Sequence, residues 1–262
     1  MIGVVVPTLG KRPGMLEACL SSIRDGGENY ITLVCPADFE ASSILAIGLA
    51  DQVVIESGVG LASAINQGIR ATPQPIDAVT WLGDDDSLEP GALDVLSQTL
   101  TTNPKVVAAF GACHFITEEG QRFSRSRLGA AAVFLLHFGP DYIPQPASAF
   151  RRSAFETVGG LSENLNFAFD LDLFLRLSKV GKLKYIPRLL ASYRWHPGSL
   201  SAANQIASRD EARRVRADHL PRFLRVVSFL WESPMEFLAS KNLRLDKLSL
   251  RSRGIFSRSD KS

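Results

Sequence analysis

Apolar positions along the chain follow two alternating periods. Residues 2–6, IGVVV, form a short continuous β-branched run, the pattern of a strand covered on both faces, and PTLGKRPG then breaks it with turn residues. Pro13 suits a first helical turn, after which Leu16, Cys19, Leu20 and Ile23 keep helical spacing until Asp25-Gly26-Gly27. The alternation continues. YITLVCP (30–36), DQVVIES (51–57) and DAVTWLG (77–83) read as strands, with FEASSILAIGLA (39–50) and LASAINQGIRA (61–71) as the helices between them. A helix over GALDVLSQTL (91–100) and a β-like run over KVVAAFGACHFI (105–116) follow. This order predicts right-handed crossovers and an open, mainly parallel sheet with helices on both faces. In such sheets ligands bind beyond the carboxyl ends of the strands, where PTLG and GDDD fall.

The second half is less regular. The Arg-rich TEEGQRFSRSR (117–127), the apolar AAAVFLLHF (130–138) and the turn-rich GPDYIPQP (139–146) suit a mobile flap or an acceptor-side wall. FDLDLFLRLSKVG (169–181) reads as an amphipathic helix, and KLKYIP and LLASYRWHPGSLS as two strands. Beyond residue 205 a basic amphipathic helix pair, interrupted at Pro221, is expected.

Charge adds an asymmetry to this picture. The net charge is +2, yet residues 209–262 carry 13 Lys or Arg against 7 Asp or Glu, which leaves 16 against 20 before them. A solvated helical face accounts for such a tail, and so does peripheral attraction to an anionic membrane surface. Nucleic acid is not expected, because the tail matches no recognition motif. Three widely spaced cysteines, Cys19, Cys35 and Cys113, suggest neither a disulfide framework nor a metal knuckle, and no apolar run reaches spanning length. A cytoplasmic protein is expected, with any membrane contact peripheral.

The candidate chemistry centres on WLGDDDSLEP (81–90), which sets three carboxylates at the end of a buried strand. Like charges a few Å apart resist ionising together, so the triplet asks for a cation. If the segment is extended, Asp84 and Asp86 share one face and could converge on Mg²⁺ or Mn²⁺, which accepts one or two carboxylates plus phosphate oxygens. The bland alternative is an acidic turn that favours the dipole of the helix behind Pro90.

The residues also resemble family 2 glycosyltransferases of the GT-A fold. VVVPTLGKRPGMLEACLSSI is similar to that family's opening, GVGLASAINQGIRA to the segment before its metal-binding strand, and WLGDDDSLEPGAL to its Asp-x-Asp region. FDLDLFLRLSKVGKLKYIPRLLASYRWHPGSLS matches its late acidic helix and final Arg-x-His, so the likeness runs over about residues 2–202. The resemblance implies a GT-A catalytic domain over 1–204, divided near residue 116 into a nucleotide- and metal-binding half and an acceptor half, with a basic helical extension over 205–262. It implies an inverting, nucleotide-sugar-dependent transferase acting on a saccharide or lipid-linked saccharide. Pro7, Thr8, Leu9, Asp38, Asn66, Asp84 and Asp85 would lie by the donor, Asp84, Asp86 and His196 by a Mn²⁺ or Mg²⁺ ion, and Asp170 would be the general base, with Asp172 as its understudy.

The chain departs from the family at three points. CPAD stands where Asp-Asp-Gly-Ser is usual, leaving Asp38 alone near the base; Gly83 replaces the first Asp of the acidic turn; Phe169-Asp170 replaces a Glu-Asp pair. Asp170 would also suit a helix N-cap. Arg151, Arg152 and Arg194 would neutralise a diphosphate or pair at the surface. A nucleotidyltransferase is a neighbouring alternative, although PTLGKRPGM lacks its Gly-x-Gly-Thr-Arg loop, and a non-catalytic binding protein on the same scaffold is another.

Overall fold

A computed structural model describes residues 1–139, 142–195 and 204–221. The first half alternates as the pattern predicts: β1 (Ile2–Pro7), α1 (Pro13–Asp25), β2 (Asn29–Cys35), α2 (Ser42–Ala46), β3 (Gln52–Ile55), α3 (Leu61–Ala71) and β4 (Ala78–Trp81). Then come β5 (Ser87–Leu88), α4 (Ala92–Thr102), β6 (Val106–Ile116), β7 (Arg122–Arg125), α5 (Ala131–Leu135) and a 3₁₀ turn at Gln145–Ala147. The chain continues through β8 (Ser148–Arg151), α6 (Arg152–Thr157), α7 (Phe169–Val180), β9 (Lys182–Arg194) and α8 (Gln205–His219). The strands form one sheet in the order β3-β2-β1-β4-β8-β6-β9-β5, with β7 beside β6.

Both faces of this sheet are covered, which is why β1 lacks polar alternation. Val4 and Val6 enter one core with Leu16 and Leu20 of α1 and Leu93 and Leu96 of α4, while Val5 enters the other with Ile65 of α3, Phe150 of β8 and Phe174 of α7. The close seat of α3 depends on Gly68, where any Cβ would collide with Val5 and Val34.

The parallel pairing holds for β3-β2-β1-β4 and for β6 with β9, whereas β4–β8, β8–β6, β6–β7 and β5–β9 are antiparallel. The second half is therefore mixed, and residues 148–151 of the irregular region form a central strand. Of the predicted helix at 39–50 only Ser42–Ala46 is helical. The two strands expected after residue 181 are one, β9, because Pro187 sits in a register shift between Tyr185 and Leu189 where the missing N–H breaks no ladder bond. The first of the two expected C-terminal helices is present as α8, which packs on α7 and sends Val215 into the core; residues 222–262 lie outside the described residues. Among the described residues no helix is long and apolar enough to cross a membrane.

Candidate active site

The carboxyl ends of β1 and β4 meet side by side. Leu82 donates its N–H to the Val5 carbonyl (3.0 Å), which brings the loop after Pro7 against the loop after Trp81. There the Thr8 hydroxyl donates to Asp84 Oδ2 (2.6 Å) and accepts the Gly10 N–H (3.0 Å). Arg12, at the start of α1, spans two carboxylates, with Nη2 on Asp84 Oδ1 (3.0 Å) and Nη1 on Asp85 Oδ2 (2.8 Å). The Cys19 thiol donates to the Gly83 carbonyl (3.3 Å) and fastens the acidic segment to the same helix.

Residues 83–86 are not extended. They form a turn closed by the Asp86 N–H on the Gly83 carbonyl (3.1 Å), so strand alternation does not bring Asp84 and Asp86 to one face. Asp84 and Asp85 share Arg12, while Asp86 turns toward β9, where its Oδ1 accepts the Arg194 N–H (2.8 Å). The Asp86 side chain is 5% exposed. Burial, and after it the neighbouring Asp85 carboxylate, push its pKa well up, against the opposing pull of Arg194. Such a group is short of positive charge. The donor set fits Mg²⁺ or Mn²⁺ held by one or two carboxylates with phosphate oxygens completing the shell. It does not fit a full protein cage: among the described residues no three His, Cys, Asp or Glu side chains are grouped to hold a metal. His196 lies outside the described residues.

The start of α7 faces the same edge. Phe169 packs on Trp81, the last residue of β4, at 6.3 Å between ring centroids, and Trp81 stacks on Phe150 at 5.4 Å. Asp170 follows directly and is half-buried. It is not the N-cap, a position held by Ala168 with no side-chain bond; its Oδ1 accepts the adjacent Leu171 N–H (2.8 Å). Capping comes instead from Glu211 of α8, a buried carboxylate that accepts the N–H groups of Asn166 (3.1 Å), Phe167 (2.7 Å) and Ala168 (2.8 Å). Burial chiefly, with the Glu211 charge adding to it, pushes the Asp170 pKa up to about 6.

Asp172 is committed elsewhere. It accepts bonds from Ser162, from Arg176 Nε (2.9 Å) and Nη2 (2.7 Å), and meets His219 Nε2 at 2.9 Å. Burial alone would raise its pKa, but His219, Ser162 and Arg176 together hold it well below the usual carboxylate range. That network engages both of its carboxylate oxygens.

The other expected residues separate. Leu9 (60% exposed) and Asp38 lie on the surface at the carboxyl ends of β1 and β2. Asn66 is buried, donating to the Leu161 carbonyl (2.9 Å) and Glu163 Oε1 (2.9 Å) and accepting the Leu161 N–H (2.9 Å), which clamps α3 to the loop before α7. Arg151 bonds the carbonyls of Leu100, Asn103 and Val106, and Arg152 those of Thr72 and Pro73, so both are structural. Arg194 likewise spends its guanidinium on carbonyls, those of Asp85 (2.9 Å), Thr117 (3.0 Å) and Glu118 (2.6 Å). The sequence reading missed Arg12 and Glu211. A basic residue just before the helix-starting Pro13 was a signal for the first; nothing local marked the second.

The mixed α/β sheet, with the acidic turn at the carboxyl end of its fourth strand, has the GT-A fold. Solved structures that share the fold include the following two. TarS of S. aureus in complex with UDP-GlcNAc aligns with a TM-score of 0.64 at 11% identity, covering 86% of this chain and 69% of that one. The mannosyltransferase PcManGT from Pyrobaculum calidifontis, in complex with GDP-Man and Mn²⁺, aligns at 0.56 and 18% identity, covering 83% and 61%. The model of glycosyl transferase family 2 matches residues 3–159, more than half of the chain, and the chain belongs to that family. Curated relatives include the O-antigen biosynthesis protein RfbC of Myxococcus xanthus, 26% identical over 85% of this chain, and the chondroitin synthase of Pasteurella multocida, 25% identical over 55%. This chain spans only 18% and 15% of those two proteins. An uncharacterized glycosyltransferase of Rickettsia typhi is 22% identical over 79% of this chain and 68% of its own length.

Proposed function

We propose that the chain transfers a sugar, with inversion, from a nucleotide-diphosphate donor to a hydroxyl of a saccharide or lipid-linked saccharide, in surface-polysaccharide or glycolipid assembly. Family membership supports the class of reaction, and the names of RfbC and chondroitin synthase support a polysaccharide product. The observation that carries the reading is the buried, charge-deficient Asp86 at the sheet edge faced by the start of α7. Asp86, with Asp84 beside it, would hold a Mn²⁺ or Mg²⁺ ion, which when bound neutralises charge on a diphosphate leaving group.

The chain's own residues supply the rest. Asp170 accepts the acceptor's hydroxyl proton as that oxygen bonds to the anomeric carbon and the diphosphate oxygen departs with the bonding pair. A pKa of about 6 leaves Asp170 mostly ionised at neutral pH while making it a stronger base than an ordinary Asp. Attack opposite the leaving group inverts the anomeric centre. Arg12 keeps Asp84 and Asp85 in place, and Arg194 keeps Asp86 in place. The basic charge of residues 209–262 supports a peripheral contact with an anionic membrane, where a lipid-linked acceptor would be met.

The test is transfer by Asp86→Ala, with UDP and GDP binding followed by calorimetry with and without Mn²⁺. The wild type should bind one nucleotide only with metal, and the variant should lose that binding and about a hundredfold or more in rate. Wild-type turnover by Asp86→Ala at saturating Mn²⁺ removes the assignment, and a product of retained configuration removes the inverting mechanism.

A further inference from the structure

We propose that Gln145 is a specificity-determining residue of the transfer, its side-chain amide reading a hydroxyl on the sugar ring of the donor. The inference rests on the transferase reading. It assigns recognition of the sugar, as distinct from its nucleotide, to a residue outside the acidic turn and α7.

Gln145 opens the 3₁₀ turn before β8 and is 9% exposed. The pairing of β4 with β8 covers Ala78 and Val79, so the carbonyl of Trp81, the last residue of β4, lies beyond that ladder. Gln145 Nε2 donates to it (2.8 Å). A carbonyl only accepts, so this bond decides which end of the amide meets β4 and leaves Oε1 for another partner. Among the described residues nothing donates to Oε1, and that atom is not sealed from solvent.

The acidic turn runs from the end of β4 to Ser87, the first residue of β5. The 3₁₀ turn packs on β5 and bonds β4, so Gln145 is bracketed by the two strands from which the acidic turn springs. The ring of the same Trp81 packs on Phe169, the neighbour of Asp170. A sugar whose anomeric carbon passes from a diphosphate at the acidic turn to a hydroxyl at Asp170 has its ring near Trp81, where the amide stands.

The backbone beneath this side chain is fixed. Ser148 Oγ donates to the Gln145 carbonyl (2.6 Å), the Ala147 N–H to the Pro144 carbonyl (3.1 Å) and Thr80 Oγ1 to the Ser148 carbonyl (2.7 Å). A group held in this way loses little freedom when a ligand arrives. A purely structural amide would serve the Trp81 carbonyl with one N–H. That role leaves an acceptor oxygen unused on a residue nine-tenths buried, where an unpaired polar group costs stability. The acceptor oxygen also sets the class of ligand: it repels phosphate oxyanions and accepts from O–H groups, so it matches a sugar hydroxyl and not the diphosphate.

Calorimetry on the full chain with Mn²⁺ compares UDP-glucose, UDP-galactose, UDP-GlcNAc and GDP-mannose with bare UDP and GDP. Gln145→Met keeps the length of the side chain without its amide. It should weaken the tightest-binding sugar nucleotide about tenfold, the scale of a lost neutral hydrogen bond, and leave the bare nucleotide within twofold of wild type. Analogues of that donor with one hydroxyl replaced by hydrogen locate the partner. One of them should bind the wild type about tenfold more weakly than the parent does, and bind Gln145→Met no more weakly than the parent does. Equal weakening of sugar nucleotide and bare nucleotide, or no change in either, overturns the proposal, because a purely structural Gln145 does not tell them apart. Should Gln145→Met not fold, the wild type decides: donor analogues that all bind like the parent overturn the proposal, and one that binds about tenfold more weakly sustains it. A wild type that binds neither nucleotide nor sugar nucleotide, with or without Mn²⁺, fails the transferase reading itself, whereas sugar-nucleotide binding that ignores Gln145 fails this inference alone.

Discussion

Replacing Asp170 by Asn should remove activity and stabilise the protein, two effects of opposite sign from one proton. The native carboxyl titrates at about 6, against roughly 3.9 when unfolded. Because the folded-state value is raised, its contribution to stability is fully present below the unfolded pKa and is lost as pH rises through the folded one. Two units correspond to about 3 kcal/mol at most at neutral pH. The side chain is only half-buried, and solvent screening reduces the expectation to about 1–2 kcal/mol. Asn carries no charge and suffers no such loss, while its Oδ1 can still accept the Leu171 N–H. Urea unfolding should therefore find Asp170→Asn more stable than wild type at pH 7.5 and equal to it at pH 3.5. Transfer should fall by about 10²–10⁴, the usual contribution of a positioned base. A variant that gains nothing at pH 7.5, or gains equally at both pH values, refutes the electrostatic argument. Retained turnover refutes the base.

Glu211→Ala strands three N–H groups before α7, of which only that of Ala168 is fully buried, so a loss of about 2–4 kcal/mol in urea unfolding is expected. Glu211→Gln keeps an acceptor oxygen without the charge, and the acidic limb of the pH–rate profile, near 6 in wild type, should move to lower pH; an unmoved limb counts against the coupling. Asp172→Asn weakens the bonds to Arg176, Ser162 and His219 and should cost about 3 kcal/mol. Because the folded pKa of Asp172 is depressed, that gap should be full above about pH 4 and close as pH falls further; a gap independent of pH would contradict the network. Thr32→Val removes a fully buried hydroxyl with no partner among the described residues and should raise stability by about 1 kcal/mol, read from the urea midpoint.

What the sequence reveals follows the range of the forces involved. β1 is legible because both of its faces are buried, so a run of local residues carries the whole signal. β8 is not: Ser148–Arg151 has only four residues, and its strand character comes from pairing with β4 and β6, which lie far away in the chain. The acidic turn shows the same division. Its position at the end of β4 can be read from the buried run before it, but strand alternation does not apply to it, because the bond from Asp86 to Gly83 folds the segment into a turn. Its partners are less legible still. Arg12 reaches Asp84 across 72 positions, and only the adjacency of β1 and β4 makes that contact. Glu211 sits in a helix whose composition reads as basic and solvated, yet it supplies the cap that Asp170 would have filled by local rules. With its cap delivered from α8, the start of α7 leaves the Asp170 carboxylate on backbone N–H groups, those of Leu171 and of Asp170 itself, and raised in pKa by burial. That is the physical condition a base requires, and it exists because a distant residue does the capping.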